Sequence, residues 1–240
     1  MAYRIVIEGE QKQGETIFLT QEQKHYLYRV LRLGKGDRFI ALDGKGQSWL
    51  AQLGETEATV LQALTDKTEL GFNLTLMVAL PKNGFDEVVR CCTEIGVTQI
   101  IPVLSDRTIL HPSPHKLHRW QKIAKEAAEQ AERQIVPTIG PVIPFKTAIL
   151  QHQDGDCYIG VTRHLAPPLL DCLKQQKPNK IVIITGPEGG WTEEEIKQAI
   201  AAGFQPFSLG ETVLRAVTAP IVAVALAAAI DRSQPSTFCR

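Results

Sequence analysis

The chain carries no net charge: 26 Lys and Arg balance 26 Asp and Glu. A neutral surface speaks against indiscriminate binding to polyanions, which needs an excess of cations. No apolar run reaches membrane-spanning length, and even residues 216–230 are too short and too rich in alanine. The opening residues Tyr3-Arg4-Ile5-Val6-Ile7-Glu8 alternate as a strand does, which is not the pattern of a signal peptide. Cysteine is sparse and odd in number, with five residues and no Cys-x-x-Cys spacing. That argues against a zinc site and a disulfide framework and suits a reducing cytoplasm, with most thiols acting as small buried apolar groups. His111 and His115 are the one histidine pair near ligand spacing, but they flank prolines in a loop, so no metal is expected. A P-loop and a Gly-x-Gly-x-x-Gly dinucleotide fingerprint are both missing. Internal repeats and low-complexity tracts are absent as well.

What is present fits a folded protein with a proper core: 44% of 240 residues are hydrophobic, enough for one large or two modest domains. The first seventy residues are strand-rich. Residues 3–8, 16–20, 38–42, 48–53 and 58–64 read as short strands, and residues 21–33 as an amphipathic helix. Asp43-Gly44-Lys45-Gly46 is a hairpin signal between two of the strands. Near Gly71-Phe72 the texture changes. Residues 74–80, 99–104, 157–161 and 180–185 read as buried strands, and residues 85–95, 116–133, 192–202 and 213–230 as helices. Such alternation indicates a mostly parallel sheet covered on both faces.

Two glycine-bearing junctions stand out. Gly186-Pro187-Glu188-Gly189-Gly190-Trp191-Thr192-Glu193-Glu194-Glu195-Ile196 follows the apolar run Ile181-Val182-Ile183-Ile184. Leu209-Gly210-Glu211-Thr212-Val213-Leu214-Arg215-Ala216-Val217-Thr218-Ala219-Pro220 leads into an Ala/Val/Leu helix. Both are strand–loop–helix junctions, where open α/β sheets place ligands. Three glutamates in the first helical turn repel a phosphate, and Thr192 with Glu195 has capping-box spacing. A neutral or cationic ligand is therefore indicated. Basic residues cluster twice. Lys24, Arg29, Arg32, Lys35 and Arg38 face Asp37 alone, and Arg107, Lys116, Arg119 and Lys122 face no acid within their stretch. By charge alone these read as a solvated helix face and a polar loop.

The two junctions together resemble the SPOUT methyltransferase superfamily, and more narrowly the small-subunit ribosomal RNA uridine-N3 methyltransferases known as RsmE. Further matches follow in order: His25-Tyr26-Leu27-Tyr28-Arg29-Val30-Leu31-Arg32, Ala79-Leu80-Pro81-Lys82, Thr93-Glu94-Ile95-Gly96-Val97, Pro102-Val103-Leu104-Ser105-Asp106-Arg107-Thr108, Arg119-Trp120, and Glu126-Ala127-Ala128-Glu129-Gln130 with Arg133. One departure is clear. The family's Thr-Glu-Thr-Ala is Ala216-Val217-Thr218-Ala219 here, so a family glutamate is missing. The resemblance implies an α/β chain with an N-terminal PUA-like RNA-binding β-barrel over residues 1–70. A SPOUT domain would follow over residues 71–240, with a trefoil knot within about residues 180–232. It also implies a cytoplasmic homodimer acting on small-subunit rRNA, free or assembled as a 30S particle. The alanine-rich stretch 216–230 suits either that dimer contact or an ordinary core helix.

The implied cofactor is S-adenosylmethionine. Gly186, Gly189, Gly190 and Gly210 would allow close backbone approach to its adenine, and Leu80, Leu209 and Leu214 would form apolar walls. Methylating uridine N3 requires loss of a proton and leaves charge over O2 and O4, which a guanidinium can stabilise. Arg215 is the first candidate, carried in by the helix start after Leu209-Gly210; Arg133 is the second. Glu126, Glu129 and Arg133 share a helical face, which by itself could equally be a surface charge stripe. Glu188 and Glu94 are candidate proton acceptors, and Val217 cannot be one. RNA contacts are expected from Lys24, His25, Arg29, Arg32, Lys35 and Arg38. Trp49 reads as barrel core, Trp120 as packing, and Trp191 as a shield over the pocket. The alternatives are a non-catalytic RNA-binding protein with a degenerate SPOUT domain, a relative acting on transfer RNA or large-subunit rRNA, and a metabolic α/β enzyme binding a nucleotide cofactor.

Overall fold

A computed structural model describes residues 3–65, 68–110, 112–174 and 178–231; His111 and Cys239 lie outside the described residues. The chain divides into two compact units. Unit 1 holds Met1–Glu69 together with Ala128–Val136, and unit 2 holds Leu70–Ala127 and Pro137–Arg240.

Unit 1 begins with β1 (Arg4–Val6), a 3-10 turn at Gly9–Gln11, β2 (Lys12–Gln13), β3 (Thr16–Ile17) and α1 (Gln21–Lys24). Strands β4 (Arg38–Leu42), β5 (Ser48–Leu53) and β6 (Ala58–Leu64) form a meander. The six strands make one sheet in the order β1-β4-β5-β6-β3-β2, in which β1 and β4 are parallel and the other pairs antiparallel. The turn from β4 to β5 forms because the Asp43 carboxylate accepts the N–H groups of Lys45 and Gln47 at 2.8 and 2.9 Å. Alternation along β4 sends Phe39 and Ala41 into one core with Ile5, Ile17, Leu27, Ala51 and Leu53, while Ile40 and Leu42 pack with Val6 on the opposite face. That second face is covered by the return of residues 128–136. Val136 packs there, Glu129 accepts the Val6 N–H at 2.7 Å, and Gln134 donates to Ser48 at 2.9 Å. Trp49 packs, half-buried, against the first of these cores, with the Lys12 ammonium 5.0 Å from the centre of its ring.

The helix expected over residues 21–33 is corrected by the structure. Only Gln21–Lys24 is α-helical, and His25–Val30 widens into a π-helix. The cause is crowding of apolar side chains. Tyr26, Leu27, Tyr28 and Leu31 all pack on one core, more than a stripe of period 3.6 can present.

Unit 2 contains β7 (Asn73–Ala79), α2 (Phe85–Ile95), β8 (Gln99–Leu104), α3 (Pro114–Gln130) up to Ala127, β9 (Thr138–Ile139), β10 (Ile143–Pro144) and α4 (Phe145–Gln151). It continues with β11 (Asp156–Gly160), α5 (Leu169–Leu173), β12 (Lys180–Thr185), α6 (Glu193–Ala201), β13 (Gln205–Phe207) and α7 (Thr218–Ala229). Its sheet is parallel throughout, ordered β10-β8-β7-β12-β11-β13, with β9 beside β8. The central strands are buried on both faces, which is why they read as continuous apolar runs. Met77, Ala79, Ile101, Val103, Ile159, Val182 and Ile184 form one core with Phe145 and Ile149 of α4 and Ile196 and Ala199 of α6. Each large side chain fully buried there contributes about 1.5–3 kcal/mol. The alternate residues of β7 and β12 face away from that core, on the side where α7 packs with α2 and α5. Trp120 is a packing residue: its ring meets Phe85 edge-on at 4.5 Å and its indole donates to Asp86 at 3.0 Å.

The expected helix over 213–230 begins later, at Thr218. Pro220 explains the delay. Proline lacks an N–H and its ring clashes with the carbonyl four residues back, so it is tolerated only in a first turn. Residues 213–217 are therefore loop, and Arg215 precedes the helix; its carbonyl accepts from the N–H groups of Thr218 and Ala219, both at 2.9 Å.

Candidate active site

All strands of the unit 2 sheet point the same way, so the loops after β7, β8, β11, β12 and β13 leave from one edge. Strand order reverses there between β7 and β12, the position where open α/β sheets form a crevice. The second glycine loop then runs back along this edge. It leaves β13, outside β11, and returns to Val217, whose side chain lies over Gly84 just after β7; a Cβ on Gly84 would stand 2.7 Å from Val217 Cγ2. Between β13 and Val217 the second loop therefore passes the ends of β11 and β12.

The first loop is pinned from three sides. Glu188 accepts the Lys82 N–H at 2.9 Å, tying the loop to the end of β7. Arg107, beyond β8, donates to the carbonyls of Gly189 at 2.7 Å and Trp191 at 3.3 Å. Trp191 donates to the Gly160 carbonyl at 2.9 Å, so its indole is a strut reaching the end of β11. The expected capping box is present: Thr192 Oγ1 accepts the Glu195 N–H, and Glu195 accepts the Thr192 N–H. Glu195 also accepts the Asp106 N–H at 2.9 Å. From the sequence Arg107 entered only as part of a basic cluster and of the Pro102–Thr108 family match, with no role at this loop, and the second bond of Glu195 was not expected.

The glycines divide by what approaches them. A Cβ at Gly186 would stand 3.2 Å from the Trp191 indole, and one at Gly189 would stand 3.2 Å from the Arg107 stem. The protein's own side chains use those two approaches. Gly190 and Gly210 have φ of +67° and +118°, and a Cβ at either would meet nothing within 4 Å. Open space therefore lies beside a backbone conformation that side chains rarely adopt. Thr185, at the end of β12, is buried and its hydroxyl has no hydrogen-bond partner among the described residues. Open backbone at two glycines and an orphaned hydroxyl at the start of the first loop fit a ligand held by main-chain and polar contacts.

The other expected residues are placed as follows. Leu80 is fully buried, with its N–H on the Val103 carbonyl at 3.0 Å, while Leu209 and Leu214 are half-buried. Arg215 is exposed, with no side-chain partner among the described residues. Glu94 is paired to Arg90 at 2.6 Å near the far end of α2, roughly 15 Å of helix from the loop edge, which removes it as a proton acceptor. Arg133 is buried in unit 1 and donates through Nε and Nη2 to Glu69, whose other oxygen accepts the N–H groups of Gln134 and Ile135. That corrects its assignment as a catalytic cation. A buried guanidinium committed to a carboxylate is not available to a substrate. The basic candidates Lys24, His25, Arg29, Arg32, Lys35 and Arg38 all lie in unit 1; Lys35 pairs with Glu55 at 2.8 Å, and Arg32 has φ of +57°. Burial pushes the Cys157 thiol up to about 11, so it is packing and not a nucleophile. Among the described residues no group of His, Cys, Asp and Glu could hold a metal ion, and no helix is long and apolar enough to cross a membrane.

Comparison with known proteins follows this division. Residues 68–228 match the RNA methyltransferase domain family, and residues 19–61 match the RNA methyltransferase PUA domain. The chain is 49% identical to the ribosomal RNA small subunit methyltransferase E of Synechocystis, over 94% of this chain and 77% of that one. It is 27% identical to the Bacillus subtilis protein of the same name, over 89% and 90% of the two chains. A crystal structure of the Neisseria gonorrhoeae ribosomal RNA small subunit methyltransferase E bound to S-adenosyl methionine superimposes with a TM-score of 0.84 at 31% identity, covering 94% of this chain and 96% of that one. The fold is thus shared over almost the whole length, and the chain belongs to the ribosomal RNA small subunit methyltransferase E family.

Proposed function

We propose that the protein methylates N3 of a uridine in small-subunit ribosomal RNA, with S-adenosylmethionine as methyl donor. The observation that carries this is the pair of glycine loops at one sheet edge, in which Gly190 and Gly210 hold positive φ with nothing within 4 Å of an added Cβ, the second loop also carrying the exposed Arg215. When bound, the cofactor supplies a sulfonium methyl open to in-line displacement by nitrogen. The chain's residues do the rest. Gly190 and Gly210 admit the adenosine to the backbone, Leu209 and Leu214 flank it, and the Glu188, Arg107 and Trp191 ties keep the first loop in place before binding. Arg215 places a guanidinium against O2 or O4 as charge develops on the uracil. Glu188 is the carboxylate carried by the glycine loop itself and takes the N3 proton.

The chain is an S-adenosylmethionine-dependent rRNA methyltransferase acting in the cytoplasm, where its substrate is made. Three further elements belong to the same reading. The return of the chain from β13 to α7, which packs on β7 and β12, supports a trefoil knot in the C-terminal part. Helix α7 buries Pro220, Ala223, Val224 and Ala227 and leaves Ala225 and Ala229 exposed beside half-buried Ile221, Val222 and Leu226; this open apolar face supports a homodimer. The exposed cations of unit 1 support docking on rRNA, free or within a 30S particle. Mass spectrometry of small-subunit rRNA from a deletion strain and its complemented parent tests the reaction. A 3-methyluridine that vanishes and returns with the gene is expected, and its persistence in the deletion strain would remove the assignment.

A further inference from the structure

The π-helical segment of unit 1 has a consequence for the docking face. On an α-helix, residues five apart point about 140° away from each other. The wider turn here, closed by Leu31 N–H on the Tyr26 carbonyl five residues back at 2.9 Å, brings Lys24 and Arg29 towards the same side. Arg32, with φ of +57°, then turns the chain so that Leu33 folds back and donates its N–H to the Leu27 carbonyl at 3.0 Å. The result is an open groove lined by Gln21, Lys24, His25, Tyr28, Arg29 and Leu33. None of these is acidic. Tyr28 is fixed in place, since its hydroxyl donates to the Gly54 carbonyl at 3.0 Å, and its burial raises the phenol above its ordinary pKa.

A track for phosphates needs only cations. This groove combines cations with an aromatic ring, an apolar side chain and a carboxamide able to donate and accept. We propose that it seats one unpaired nucleotide of the RNA substrate: the base stacks on Tyr28 against Leu33, Gln21 meets a base edge, and Lys24 and Arg29 hold the flanking phosphates. The local cost of a π turn and a left-handed arginine is offset by the core packing of Tyr26, Leu27, Tyr28 and Leu31. The inference rests on the reading of unit 1 as an RNA-docking unit and goes further, by assigning unpaired RNA as what it recognises.

The test uses the full chain with two probes, a short RNA hairpin with an unpaired loop and a fully paired RNA duplex of equal length. The hairpin is expected to bind roughly tenfold tighter or more, in line with the worth of one base stacked on an aromatic ring. Tyr28→Leu, which keeps apolar packing, should erase that preference with the salt dependence unchanged, while Tyr28→Phe should keep it. Lys24→Ala and Arg29→Ala should each lower the log–log salt slope by about one on both RNAs. Equal affinity of the native protein for the two probes, or a preference that survives Tyr28→Leu, overturns the seat while leaving docking intact. Salt slopes unmoved by Lys24→Ala and Arg29→Ala overturn the docking reading and the seat with it. Should Tyr28→Leu not fold, 2-aminopurine in the hairpin loop gives the answer in the native protein: quenching on binding is expected, and unchanged emission defeats the proposal.

Discussion

The two glycine loops begin at neighbouring parts of one sheet edge and are held in opposite ways. The loop after β12 is tied to the ends of β7, β8 and β11 by Glu188, Arg107 and Trp191, and its following helix is capped by Thr192 and Glu195. The loop after β13 has a local bond from the Ser208 hydroxyl to the Gly210 carbonyl at 3.2 Å and the capping bonds to the Arg215 carbonyl, while Glu211, Thr212, Val213 and Arg215 are exposed. The difference assigns labour. A preorganised loop can bind without paying for its own ordering, and a loosely held one can adapt its side chains to a substrate.

The strongest test of that division is Arg215→Ala. Methyl transfer should fall by roughly a hundredfold or more with S-adenosylmethionine affinity unchanged, measured by single-turnover kinetics beside calorimetry. A parallel loss of cofactor binding would place Arg215 in the cofactor site instead. Gly210→Val forces a branched residue to φ near +118°, a strain of about 1–3 kcal/mol. The loop will escape it by moving, and cofactor affinity should drop by roughly tenfold or more. Arg107→Ala removes two hydrogen bonds to the pinned loop from an exposed position, so a loss of several-fold in cofactor affinity is expected, with kcat at saturating cofactor little changed. If kcat falls while affinity holds, the pinned loop is not the binding element. The smallest effect concerns the missing glutamate. Val217 sits against Gly84, the N-cap of α2, which has no side-chain cap. Val217→Glu would bring a carboxylate to a helix N-terminus, worth about 0.3–1 kcal/mol by thermal melting, with no gain in methyl transfer. A large gain in rate would mean the position is catalytic after all.

Much of this was legible in the residues. Arg38–Leu42, Ser48–Leu53, Ala58–Leu64, Phe85–Ile95, Gln99–Leu104 and Lys180–Thr185 form where periodicity and turn residues place them, because burial on one or two faces dictates the pattern directly. The Thr192–Glu195 box was readable for the same reason: both partners lie within one turn. Arg133 was not. Its spacing with Glu126 and Glu129 is the same whether the face is a catalytic stripe or a buried tie, and only Glu69, distant in sequence, decides. The late start of α7 hung on Pro220, whose effect is local but which a long apolar pattern conceals. The π turn lay hidden because helical periodicity assumes the α geometry it departs from.

The return of residues 128–136 to unit 1 bears on how the protein is made. When the ribosome has released only the first seventy residues, Val6, Ile40 and Leu42 lack Val136, the Val6 N–H lacks Glu129, and Glu69 lacks its cation. The strands can pair, but the second face of their sheet stays open through the synthesis of β7, α2, β8 and most of α3. Completion of the first-made part therefore waits on a stretch made nearly seventy residues later. During that interval the nascent chain exposes an apolar sheet face, the kind of surface that chaperones hold.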